Sequence, residues 1–100
     1  MWTPISAEEL ADLVQAELRQ CTPAQAEAFS NHRVPFYQVP IPRGDATESV
    51  FVIAHLQGKV LYYEDVEDGF ELSALSPEGA IASPGYNQFE LRHVLSQLGF

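Results

Sequence analysis

Residues 50–65 read VFVIAHLQGKVLYYED: an almost wholly apolar run, a Gln57-Gly58 pair, then a second β-forming run that ends in acids. The first run, residues 50–56, has the composition of a central strand buried on both faces. Gly58 supplies the positive φ of a two-residue hairpin, with Gln57 a weaker first residue than Asn or Asp. In that register Ala54 faces Leu61, Val52 faces Tyr63 and Ile53 faces Tyr62. The hairpin fixes the middle of an antiparallel sheet, and the rest of the chain is read outward from it.

Upstream, residues 34–42 are extended, because each residue before a proline is driven out of the α region and Pro35, Pro40 and Pro42 cannot donate to a ladder. Pro40 and Pro42 turn their missing donors the same way, which predicts an edge strand with that side outward. Downstream, Phe70, Leu72 and Ala74 alternate with Glu71 and Ser73 as another strand. Ser76-Pro77-Glu78-Gly79 is a type I turn sequence leading to a stub strand at residues 80–82. Helix signals flank the sheet. Ser6 with Glu9 forms a capping box before a helix over residues 7–21, buried through Leu10, Leu13, Val14 and Leu18. Thr22-Pro23 with Gln25 starts a second, to about residue 30. Asn87 with Glu90, and Tyr86 stapled onto Leu91, predicts a third with Leu91, Val94, Leu95 and Leu98 inward, closed by Gly99. The expected fold is α+β in two layers: two N-terminal helices, an antiparallel β-meander of about four to five strands, and one C-terminal helix.

At 100 residues, 46% hydrophobic and 19% charged, the chain is expected to form one domain with one core over residues 1–100. Cys21 is the single cysteine, so no internal disulfide forms and a reducing cytoplasm suits the chain. The stretch MWTPISAEEL has neither a positive region nor an apolar run, so no cleaved signal peptide is expected. The net charge of −9 argues against nucleic acid and anionic membranes as partners and favours a basic or neutral protein.

The stretch EDVEDGFE places five of fourteen acids in residues 64–71. As a calcium loop it fails on two ligands: counting from Glu64, Val66 falls at position three and Leu75 at position twelve. An exposed turn also offers no pocket to separate the pKa values of two catalytic carboxylates. His32, His55 and His93 are too dispersed for a zinc pattern, and no glycine-rich phosphate loop exists. Cys21 closes a helix, where the negative end of the dipole raises a thiol pKa. No catalytic, metal or cofactor motif is therefore assigned, and an enzyme is not expected. Surface recognition remains. Tyr62, with Tyr63 beside it, would anchor a partner, and Glu64, Asp65, Glu67, Asp68 and Glu71 would supply the field that steers a basic one.

Leu61-Tyr62-Tyr63 running into this acidic turn, with Gly69-Phe70, Gly79, Asn87-Gln88 and Leu91, resembles the C-terminal half of a loose group of small bacterial proteins. The likeness spans about residues 50–98. Some of that group resemble immunity proteins that neutralise toxins, and others have no assigned role, so the resemblance implies an inhibitor and carries over no catalytic residue. Asn87 and Gln88 read as a helix cap rather than as contacts. Two rival readings are a structural module that pairs with itself or another protein through its sheet edge, giving a homodimer in the first case, and a small-ligand carrier.

Overall fold

A computed structural model describes residues 4–85 and 87–100. Two helices, α1 (Ala7–Leu18) and α2 (Pro23–His32), precede four strands, β1 (Arg33–Arg43), β2 (Ala46–Leu56), β3 (Lys59–Glu64) and β4 (Gly69–Ser73), and α3 (Leu91–Gln97) follows. The strands form one antiparallel sheet in the order β1-β2-β3-β4. The fold is α+β with its helices on one face of a meander.

Both N-terminal capping boxes form. Glu9 N–H donates to Ser6 Oγ (3.1 Å) and Ser6 N–H to Glu9 Oε1 (3.1 Å). Gln25 N–H donates to Thr22 Oγ1 (3.1 Å) and Thr22 N–H to Gln25 Oε1 (2.9 Å). The first helix ends three residues before Cys21, because Arg19, Gln20 and Cys21 donate to carbonyls three residues back and the chain tightens before Thr22-Pro23. The second runs two residues past Ser30, to His32.

The third helix starts later than expected. Residues 87–89 are held against β4: Phe70 N–H donates to the Phe89 carbonyl (2.9 Å) and Asn87 N–H to Glu71 Oε1 (3.0 Å). Asn87 therefore cannot cap; Glu90 is the N-cap, and Leu91 N–H is satisfied by Glu17 Oε1 of α1 (2.8 Å). The staple expected of Tyr86 lies outside the described residues.

The Gln57-Gly58 hairpin closes as expected, with both residues at positive φ, 53° and 77°. Ala54 faces Leu61. Beyond that pair a bulge at Ile53 shifts the register, so Val52 faces Tyr62 and Phe51 faces Tyr63. The expected Val52–Tyr63 and Ile53–Tyr62 pairs do not form. The bulge puts Ile53 and Ala54 together on the helical side, where they pack with Leu10, Val14, Phe29, Leu61, Tyr63, Phe70, Leu91, Val94 and Leu95. Val39, Ile41, Val50, Val52, Val60 and Tyr62 line the opposite face, covered by Ile81. The sheet is thus apolar on both sides, which accounts for the continuous apolar run in β2.

The strand expected at residues 80–82 is reduced to one bridge, Leu75 to Ile81, and the sheet has four strands. It follows the expected turn, in which Gly79 N–H donates to the Ser76 carbonyl (2.9 Å). β1 is an edge, and the outward Pro40 carbonyl accepts from Ile81 N–H (2.9 Å).

Candidate functional site

The acidic stretch is largely inside the protein. Glu64 ends β3 with no solvent exposure, and Arg43, at the end of β1, clamps it with both terminal guanidinium nitrogens; NH1 lies 2.9 Å from Oε2 and NH2 contacts Oε1. Arg43 Nε reaches Glu48 Oε1 (3.1 Å). Val66 N–H also donates to Glu64 Oε1 (3.4 Å). A carboxylate so enclosed is held by its guanidinium and is not presented to a partner.

Asp65 and Glu71 are buried as well. Asp65 Oδ2 accepts from Ile5 N–H (3.2 Å), which ties the entry of α1 to the β3–β4 turn. Glu71 accepts from Asn87 N–H, and Gly85 lies so close that a Cβ there would stand 2.3 Å from the Glu71 carboxyl carbon. Burial pushes both carboxyls above the usual carboxylate range, with the Glu64 charge adding to the effect.

The tyrosines are equally committed. Tyr62 has no exposure; its hydroxyl accepts from Gly85 N–H (3.0 Å), and burial pushes its pKa up to about 12. Tyr63 faces the helices at 6% exposure, donates to Asp68 Oδ1 (3.2 Å), and is likewise raised to about 12 by burial. The expectation that Tyr62, Glu64, Asp65 and Glu71 form an open surface beside Glu67 and Asp68 is corrected: the first four hold the chain together. Only Glu67, half-buried, and Asp68, exposed, reach solvent. Arg43 is the residue missed in the sequence. Its signal was a lone arginine beside the Gly44-Asp45 turn that joins β1 to β2.

What faces outward at this end is different in composition. Glu8 and Glu9 of α1, Asp45 of the β1–β2 turn, and Glu67 and Asp68 of the β3–β4 turn lie on segments that the Ile5–Asp65 and Arg43–Glu64 contacts join, and Val66 in the last of these turns is 45% exposed. With Glu64, Asp65 and Glu71 buried, eleven acids remain outside the core against Arg19, Arg33, Lys59 and Arg92. Arg43 is engaged by Glu64 and Glu48.

Two open grooves lie elsewhere. One, about 440 Å³, runs between α1 and the start of β1 along Ala11, Arg33, Val34, Pro35 and Phe36. Arg33 there lies over the Phe29 ring at 5.3 Å. The other, about 400 Å³, lies by the β2–β3 turn, lined by Tyr37, His55, Gly58, Lys59, Val60, Ala74 and Leu75. In it the Tyr37 hydroxyl is 2.8 Å from His55 Nε2. Cys21 donates to the Glu17 carbonyl (3.5 Å), and burial raises its thiol pKa. Among the described residues no group of three or more His, Cys, Asp or Glu is placed to hold a metal ion, and no helix is long and apolar enough to cross a membrane. No protein-family model, curated protein or solved structure matches the chain.

Proposed function

We propose that this chain is an acidic protein-binding module that docks on a basic partner through the end of the molecule where α1 begins. The observation that supports this reading is the surface charge left after the internal pairs are made. Glu8, Glu9, Asp45, Glu67 and Asp68 carry one sign of charge on the segments joined there, with the exposed apolar Val66 in the same turn as the last two. Glu64 and Arg43 contribute rigidity instead, fixing the strand ends from which the turns extend. An immunity-type inhibitor of a basic enzyme is the narrower form of the same proposal. Self-pairing through β1 is disfavoured by Pro40 and Pro42, which cannot donate, and by Ile81, which occupies the outward Pro40 carbonyl.

The test compares wild type with Glu8→Lys/Glu67→Lys as tagged baits in lysate of the source cells, at low and high salt. The proposal expects a basic protein retained by wild type at low salt, released at high salt, and lost by the variant. Equal retention by both baits overturns it, as does recovery of further copies of the chain alone.

A further inference from the structure

We propose that the groove at the β2–β3 turn is a binding site for a small carboxylate with a flat apolar body. The site is independent of the acidic end. The strap of residues 74–85 covers the second sheet face through Ile81, and its first residues, Ala74 and Leu75, border an open corner with Tyr37, His55 and Val60. That corner leaves about 400 Å³, within the range of small-molecule sites. Two of the large apolar side chains exposed to solvent, Tyr37 and Leu75, stand on its two sides.

The polar groups are few, and two of them hold each other. Tyr37 and His55 meet edge to face, ring centroids 5.9 Å apart and planes at 88°, and the 2.8 Å bond between hydroxyl and Nε2 locks both rings. Such rigidity lowers the ordering cost of seating a ligand against them. Charge selects the ligand. In a chain with fourteen acids and five bases, no Asp or Glu lines this groove, whereas Lys59 does. Lys59 forms no ion pair among the described residues. A carboxylate therefore finds a donor and no repelling neighbour within the groove, while Val60, Ala74, Leu75 and the Tyr37 ring cover its apolar body.

The experiment titrates the whole protein with benzoate, following backbone amide resonances, with neutral benzyl alcohol and cationic benzylamine as comparison probes. Saturable shifts confined to Lys59, Val60, Ala74, Leu75 and their neighbours, with a dissociation constant on the order of 1 mM for so few atoms, are expected for benzoate. Lys59→Met should weaken it roughly fivefold or more, and Leu75→Ser should weaken it too; both positions are exposed, so an unchanged spectrum elsewhere verifies the fold. Absence of saturation with benzoate, equal binding of benzyl alcohol, tighter binding of benzylamine, or an unchanged affinity in Lys59→Met each overturns the assignment.

Discussion

Glu64 and Arg43 show how one pair of residues turns an acidic turn into a structural device. Glu64 is fully enclosed and the side chain of Arg43 is 16% exposed, so both charges have left most of their water and depend on each other. Removing one partner should cost more than the pair contributes. We expect Arg43→Met to destabilise by about 3–5 kcal/mol, with Glu64→Gln on top of it recovering a large part, as urea unfolding in a double-mutant cycle would show. Arg43→Lys should not rescue, because an ammonium cannot make the two-pronged contact that the guanidinium makes. Gly69 acts at the same scale by having no side chain. A Cβ there would stand 2.7 Å from the Asn87 carbonyl oxygen and the Gln88 Cα, both backbone atoms. Gly69→Ala should therefore cost about 1–3 kcal/mol, and loosen the bond from Phe70 to Phe89, read as faster exchange of the Phe70 amide.

Among the elements, the hairpin at Gln57-Gly58 offers the clearest separation of causes. A Cβ on Gly58 would meet nothing within 4 Å, yet φ is 77°, so Gly58→Ala should lose about 1–2 kcal/mol for conformational reasons alone, measurable by thermal unfolding. This turn was readable in the sequence because its signal is two adjacent residues. The caps at Ser6/Glu9 and Thr22/Gln25 were readable for the same reason, each being complete within four positions. The start of α3 was not, although Asn87 and Glu90 have the same spacing. Its outcome is set by Glu71 and Phe70 on β4 and by Glu17 on α1, far away in sequence, and those contacts override the local preference. The bulge at Ile53 was hidden because an apolar strand buried on both faces carries no alternation from which to read register. The acidic turn was misjudged for a related reason. Its sequence gives five acids, but Arg43, which decides the fate of Glu64, lies 21 positions earlier, and Gly85 and Asn87, which meet Glu71, lie 14 and 16 later.

For the whole molecule, the charge of −9 and the buried carboxyls act on stability in the same direction as pH changes, and they can be separated. Asp65 and Glu71 titrate above their ordinary values in the folded state because burial disfavours their charge. In the window between the ordinary value and the raised one, the folded protein binds more protons than the unfolded chain, so stability falls as pH rises through it. The gain is complete below the ordinary glutamate value of 4.5 and lost above the raised one. Glu9 opposes this at its lower edge: its carboxylate, held below its ordinary value by the Ser6 N–H and hydroxyl, gives up its contribution as pH falls. General repulsion among surface acids also favours mild acid, but salt screens it, whereas the buried carboxyls are screened far less. Thermal midpoints taken from neutral pH down to about the ordinary glutamate pKa should rise in wild type at both low and high salt, by less at high salt. Glu71→Gln keeps an acceptor for Asn87 N–H while removing the titration, so its rise should be smaller than that of wild type, and the difference should persist in high salt. Matching slopes for wild type and Glu71→Gln at high salt would mean that Glu71 carries no buried charge at neutral pH, and that surface repulsion alone sets the profile.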